Sequence, residues 1–357
     1  MTITEAIKKV VDRVDLAAGE AESVLEQIMT GQCTDAQIAS LLTALRMKGE
    51  TVAELTGFAR VMRSKSARVR PHTTVSAEIG DTEREALIDT CGTGGDVSGS
   101  FNVSTATAFV VAGAGVRVAK HGNRSVSSQC GSADVVEALG VRIDLRPDRI
   151  GRCIDEIGIG FLHAPLLHDA MKYVSLARRQ MGIRTIFNML GPLTNPAGAN
   201  IQVVGVYAAN LTELLARVLG ELGSTRALVV HGSDGLDEIT ITAESKITEL
   251  RNGELSTYNV APEDFGLERA TLEEIQGGDA HQNGEIILEV LRGGRGPRRD
   301  IVLMNAAAAF VASSRAGDLR EGVGVAADSI DTGRALEKLE QLIEFTNQSD
   351  LRRRAEE

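Results

Sequence analysis

Residues 89–105 read D-T-C-G-T-G-G-D-V-S-G-S-F-N-V-S-T. The stretch closes a short apolar run, A-L-I-D-T at 86–90, and opens into the helix-like segment Val103–Ala114. A strand, a glycine turn and a helix in that order form the first half of a parallel crossover unit. The pattern then repeats. Apolar runs V-R-V-A-K (116–120), V-R-I-D-L (141–145) and I-G-F-L-H (159–163) alternate with helix-like Ser132–Leu139 and Asp148–Ile157. I-Q-V-V-G-V-Y-A (201–208) and A-L-V-V-H-G (227–232) flank a helix over Leu211–Leu222. The reading is an α/β fold with a mostly parallel central sheet.

Upstream the texture is helical. Apolar residues recur at helical spacing in Ala21–Met29 and Ala36–Met47, and no strand-like alternation interrupts residues 1–65. Thr34 with Gln37 and Thr51 with Glu54 fit capping boxes. The first residues, M-T-I-T-E-A-I-K-K-V-V, carry charges through their apolar positions and read as an amphipathic helix, not a signal peptide. The expected division is a small all-helical domain over 1–70, joined by helices from about 165–190, and an α/β domain over 71–357. Residues 66–84 read as a polar connection, and Pro165–Met181 as one long amphipathic helix. Gly182–Pro196 reads as a fixed-shape connection with two prolines, structural more than chemical. Residues 238–260 read as a meander turning at Asn252–Gly253. Helices are expected over Arg299–Arg315 and Asp331–Asn347, and the last residues, R-R-R-A-E-E, as frayed.

The chain has 357 residues and a formal net charge of -11. Non-specific nucleic-acid binding needs a basic footprint, which this composition lacks. The four cysteines form no C-x-x-C pair, which favours a reducing, cytoplasmic setting over a disulfide framework or a zinc site. No run approaches the length of an uncharged membrane span.

The glycines of 92–95 let an anionic ligand approach the main chain, and the helix from Val103 offers unpaired N–H groups. The blander reading is a tight turn with N-capping by Asn102-Val103-Ser104-Thr105. A second loop, K-H-G-N-R-S-V-S-S at 120–128, places two cations and three hydroxyls at the next strand end, where open α/β sheets bind ligands. Ser132-Ala133-Asp134 opens a third helix. Against these cationic loops stand Asp96, Asp237 and Glu238. A carboxylate about 4 Å from a phosphate oxygen costs about 4 kcal/mol at an effective dielectric near 20. A divalent cation between them removes that cost, and Mg²⁺ is held by one or two carboxylates plus substrate phosphates. Asp237 and Glu238, with Ser104 as a further candidate, are the expected ligands. Asp96 faces either metal or ribose hydroxyls. Arg178 is either solvated, as most helical arginines are, or a fork for a substrate carboxylate. His163, His168 and Arg179 lie on the same segment.

D-T-C-G-T-G-G-D, F-N-V-S-T, K-H-G-N-R-S-V-S-S, G-S-A-D-V-V-E-A-L-G, G-I-R-T-I-F-N-M-L-G-P-L-T-N-P and D-G-L-D-E, in this order, resemble the anthranilate phosphoribosyltransferase family over nearly the whole chain. The resemblance implies a nucleoside phosphorylase/phosphoribosyltransferase class II-like fold and a homodimer joined through helical domains. It implies transfer of the 5-phosphoribosyl group from phosphoribosyl pyrophosphate to anthranilate, a step of tryptophan biosynthesis, with Mg²⁺. It implies sugar-diphosphate contacts at Gly92, Gly95, Asp96, Ser100, Asn102, Val103, Ser104, Thr105, Lys120, His121, Gly122, Asn123, Arg124, Ser125, Val126, Ser127, Ser128 and Ser132. Gly92, Asn123 and Arg178 would meet anthranilate, Ser104, Asp237 and Glu238 the metal, and Lys120 and Arg178 would serve catalysis. Two positions depart from the family pattern: Gln129 stands where a lysine is expected, and Asp169 where a proline is expected. The alternatives are a pyrimidine nucleoside phosphorylase, whose K-H-S-T-G-G-type loop is absent here, and a non-catalytic nucleic-acid-binding relative.

Overall fold

The computed structural model describes residues 1–71, 86–95, 99–125 and 129–348. Four helices come first: α1 (Ile3–Val11), α2 (Ala18–Met29), α3 (Asp35–Lys48) and α4 (Val52–Lys65). Both expected capping boxes form, Thr34 with Gln37 and Thr51 with Glu54. Glu54 also accepts the Leu16 N–H at 3.0 Å and meets Lys48 at 3.1 Å, so one fully buried carboxylate ties three segments of the bundle. Gly57 allows α4 to cross α2 closely, since a Cβ there would lie 2.9 Å from the Cβ of Ala21.

Among the described residues the sheet has seven strands in the order β3-β2-β1-β4-β5-β6-β7. These are β1 (Leu87–Gly92), β2 (Arg117–Gly122), β3 (Ile159–His163), β4 (Ile201–Gly205), β5 (Arg226–Gly232), β6 (Ser245–Arg251) and β7 (Glu254–Val260). The first five run parallel, and β6 and β7 continue antiparallel. The hairpin turns at Asn252 and Gly253, both at positive φ as a type I′ turn requires. Helices α5 (Val103–Gly113), α6 (Ser132–Ala138), α7 (Pro147–Ile157) and α11 (Leu211–Glu221) are the crossovers the alternation predicts.

Four expectations need correction. Val141–Leu145 is not a strand: Val141, Ile143 and Leu145 are buried, but the segment lies against the chain's last helix, with the Arg142 N–H donated to the Thr346 hydroxyl. Alternating burial here reflects packing into two different apolar clusters, Val141 and Ile143 in one and Leu145 in the other, not a ladder. Pro165–Met181 breaks at His168 (φ -125°) into α8 (Ala164–Leu167), a 3₁₀ turn and α9 (Lys172–Met181). Gly182–Pro196 contains a helix, α10 (Ile186–Leu193), with Pro192 in its last turn. The C-terminal region has four helices, not two: α12 (Ala280–Leu291), α13 (Pro297–Ala312), α14 (Leu319–Asp331) and α15 (Arg334–Asn347). Glycines at 284, 322 and 324 dilute the helical signal of α12 and α14.

Among the described residues a small apolar cluster joins Leu87, Ala119 and Leu162 of the sheet to Ile150 and Ile154 of α7, and two larger cores cover the rest of the sheet. One gathers α5 and α12–α15 against Val118, Val203, Leu228 and Ile247. The other runs without interruption from α1–α4 through α9, α10 and α11 to Cys91, Val204 and Val229 of the sheet. Arg63 of α4 seals this second junction, donating to the Leu193 and Leu222 carbonyls at the C-terminal ends of α10 and α11 (2.7 and 3.1 Å). Among the described residues, no helix is long and apolar enough to cross a membrane.

Candidate active site

A cleft of ≈1000 Å³ opens where β1 and β2 end, between the sheet and the α8–α10 segment. β1 delivers Gly92–Gly95. Gly94 and Gly95 have φ of +64° and +80°, which side chains resist. Gly92 and Gly205 are small for another reason: a Cβ on Gly92 would lie 2.5 Å from the Asp237 carboxylate, and one on Gly205 would overlap the Asp237 carbonyl. The strand ends are thus fitted around Asp237. Its carboxylate accepts the Gly94 N–H at 2.8 Å, and Glu238 accepts the Ser104 N–H at the start of α5 at 3.1 Å. The acid pair therefore sits on main-chain donors that an anion would use.

Asn305, buried in α13, fixes the chain just past the acids. It accepts the Ile239 N–H at 3.0 Å and donates to the Ile239 carbonyl at 2.9 Å. Asp234 gathers the hydroxyls of Thr240 and Thr242 and the Leu236 N–H on the other side.

Lys120 rises from β2 into the same floor. The residue is 3% exposed, and its Nζ donates to the Thr90 carbonyl at 2.5 Å and the Ser104 hydroxyl at 3.3 Å. Burial lowers its pKa, while Asp89, Cys91, Glu238 and Asp237 pull it back up. Beneath it, fully buried Asp89 accepts the His121 N–H (3.1 Å) and the Asn195 amide (2.8 Å). Burial pushes the Asp89 carboxyl up to about 6. The rings of His121 and His168 lie 5.3 Å apart; burial first, then mutual repulsion for His121, lowers them to about 3 and about 4. Both are neutral at physiological pH.

The opposite wall comes from α9 and α10. The Arg178 guanidinium lies 5.3 Å from the Phe187 ring centre, and burial lowers its pKa. Arg184 stacks over Tyr207 at 4.4 Å and donates to the Gly95 carbonyl, joining this wall to the glycine turn.

Known proteins resemble this chain along nearly its whole length. A family model for the helical bundle domain of a glycosyl transferase family matches residues 4–66, and one for its a/b domain matches residues 84–336. Anthranilate phosphoribosyltransferase from Symbiobacterium thermophilum is 56% identical over 341 residues, covering 96% of this chain and 97% of that protein. The enzyme of the same name from Geotalea uraniireducens is 55% identical over 353 residues, covering 97% and 100%. The crystal structure of anthranilate phosphoribosyltransferase from Thermus thermophilus superposes with a TM-score of 0.88 at 40% identity, covering 96% and 99%. The Saccharomyces cerevisiae enzyme in complex with phosphoribosyl pyrophosphate and Mg gives 0.85 at 28% identity, covering 97% and 98%. The chain belongs to the anthranilate phosphoribosyltransferase family.

Among the residues that the sequence singled out, Gly92, Gly95, Ser100, Asn102, Val103, Ser104, Lys120, His121, Gly122, Asn123, Arg124, Ser125, Ser132, Arg178, Asp237 and Glu238 line the cleft of this phosphoribosyltransferase-family chain. Thr105 does not; its hydroxyl is buried, with no hydrogen-bond partner among the described residues. Asp96, Val126, Ser127 and Ser128 lie outside the described residues. Arg124 lines the rim with its guanidinium engaged by Asp134 (2.9 Å) and Glu137 (2.5 Å). The start of α6 is likewise self-capped, since Asp134 accepts the N–H groups of Gly131 and Ser125. Gln129 lines the cleft, and Asp169 pairs with Lys172 at 2.7 Å.

Sequence reasoning missed a whole wall segment, Gln276–Gly278 with Asn283, and the α10 residues Phe187, Asn188 and Gly191. The signal for the first was present: G-G at 277–278 precedes a capping box, Asp279 with Gln282. It was hidden because α12 itself went unread.

Proposed function

We propose that this cleft transfers the 5-phosphoribosyl group of phosphoribosyl pyrophosphate to the amine of anthranilate, releasing pyrophosphate. The observation that carries the reading is the convergence, at the ends of β1 and β2, of both glycine- and hydroxyl-rich loops with Lys120 and the Asp237–Glu238 pair. The bond from ribose C1 to the pyrophosphate oxygen breaks, the bond from C1 to the amine nitrogen forms, and the amine loses a proton. An aromatic amine is already nucleophilic at neutral pH, so the neutral histidines are not needed as bases.

The sugar diphosphate lies along Gly92–Gly95, Asn102–Ser104 and Lys120–Ser125 in this reading. Among the described residues no group of three or more acids, histidines or cysteines could hold a metal alone. The Asp237 and Glu238 carboxylates with the Ser104 hydroxyl nevertheless suit Mg²⁺, which takes few protein ligands and completes its shell with phosphate and water. When bound, the ion supplies neutralisation of charge on the leaving diphosphate. Lys120 contributes a fixed cation in a dry floor, where no reorganisation is needed as charge develops. Arg178, beside the Phe187 ring, binds the anthranilate carboxylate and orients the amine toward C1.

We divide the chain into a helical unit over 1–70, completed by the α9–α10 segment, and an α/β unit over 71–357; the separate matches of a helical bundle model to residues 4–66 and an a/b model to residues 84–336 support this. Exposed Val11, Val14, Met47, Leu176 and Ile183 support a homodimer through the helical units. None of the four cysteines is in a disulfide, and three are buried, which supports a reducing cytoplasm. The test is to mix protein, Mg²⁺, phosphoribosyl pyrophosphate and anthranilate and follow anthranilate fluorescence. The expected result is a loss that needs all components; an unchanged signal at high enzyme concentration rejects the assignment.

A further inference from the structure

The segment that no motif announced also settles the polarity of one that did. Asn283, in the first turn of α12, is 2% exposed. Its Oδ1 accepts the Gly278 N–H at 2.7 Å, and its Nδ2 donates to Asn102 Oδ1 at 3.0 Å. Asn102 Nδ2 in turn donates to the Cys130 carbonyl at 3.3 Å. Amide orientations are ordinarily ambiguous, since N and O scatter alike. Here both ends of the relay are main-chain groups with a fixed role. The Gly278 N–H can only donate and the Cys130 carbonyl can only accept, so each side chain between them has one allowed orientation.

The consequence falls on Asn102, which lines the cleft at the start of α5 and caps no helical N–H with its side chain. Its oxygen accepts from Asn283 and, at 3.4 Å, from the Cys130 thiol. What it has left for a ligand is an N–H, the polarity an anion needs. The main chain reinforces this clamp: the Phe101 N–H meets the Ile275 carbonyl, and the Gly277 N–H meets the Gly99 carbonyl at 2.9 Å. Gly277 is small because a Cβ there would crowd Asn283 Oδ1 at 2.5 Å and the Phe101 backbone at 2.7 Å.

We propose that Asn283 is a positioning residue for the sugar diphosphate: through Asn102 it turns an amide N–H toward the phosphate-binding side of the cleft and locks Gln276–Gly278 against the glycine loop. This rests on the functional reading above. It is tested by steady-state kinetics and pyrophosphate binding with Asn283→Asp, Asn283→Ala, Asn102→Ala and the double alanine variant. Asp at 283 keeps the acceptor for Gly278 but cannot donate to Asn102. The expected result is a roughly tenfold rise in KM for phosphoribosyl pyrophosphate and in Kd for pyrophosphate, with KM for anthranilate unchanged. In the Asn102→Ala background, Asn283→Ala should add little, since the two act as one relay. Wild-type sugar-diphosphate affinity in Asn283→Asp overturns the inference. So do multiplicative effects in the double variant, or equal rises in both KM values, which mark a general packing role. If Asn283→Asp does not fold, the alanine pair decides alone. Failure of the wild-type protein to bind the sugar diphosphate would reject the functional reading instead.

Discussion

Asp237 and Glu238 each hold a main-chain N–H, of Gly94 and of Ser104. Replacing both by their amides keeps acceptors at those donors and removes two charges from the proposed metal shell. Asp237→Asn with Glu238→Gln should lower kcat roughly 10²–10³-fold and alter the Mg²⁺ dependence, read by titrating Mg²⁺ at fixed substrate. Normal kinetics would reject the metal role. Arg178→Ala should cost about 2 kcal/mol of carboxylate binding, roughly a thirtyfold rise in anthranilate KM, with little change for the sugar diphosphate. An unmoved anthranilate KM would count against it. At this scale the sequence was informative where charge and glycine coincide, as at 92–95, 120–125 and 237–238. It was silent on Asn305, Asn283 and Arg184, whose roles come only from which main-chain group each one meets. Thr105 shows the converse: a motif neighbour of Ser104 that the helix turns inward, one residue being enough to change face.

Elements, more than residues, aim the acids. β1 and β4 end in glycines because the Asp237 segment lies across their tips. Gly205→Ala would drive a methyl into the Asp237 carbonyl. The expectation is a loss of about 1–3 kcal/mol in urea unfolding and a roughly hundredfold fall in kcat/KM through displacement of the acid pair. A variant that stays fully active would show that the segment can move aside freely. The alternation of short apolar runs with helix-like segments made the parallel crossovers legible, although α5, buried on nearly every side, carries no single apolar stripe. The same logic misread Val141–Leu145, because alternation records burial and not hydrogen bonding. It also missed the break at His168, which lies in the cleft wall beside His121. That break separates α8 from α9, the helix that carries Arg178.

The whole molecule inherits the chemistry of its buried centre. His121 and His168 titrate in the unfolded chain near 6.5 but at about 3 and about 4 when folded. Their contribution to stability is complete above about pH 6.5 and is lost as pH falls through 4 toward 3. Asp89 acts in the opposite sense: raised from 3.8 to about 6, its contribution is present below 3.8 and lost as pH rises through 6. Two imidazoles outweigh one carboxyl, so the urea midpoint should drop between pH 6.5 and 4, and His168→Gln should flatten part of the drop. A midpoint independent of pH across that window would contradict this burial.

The cleft is also assembled from stretches lying between Met62 and Asn283, carried by both cores. No shorter stretch of chain holds all its walls. Saturating ligand at a hundred times Kd should therefore add about 2.7 kcal/mol to the native state and nothing to the denatured one. Occupancy becomes a census: every molecule that retains the sugar diphosphate has brought together the walls that lie between Met62 and Asn283, and a preparation's binding capacity counts the fraction that has done so.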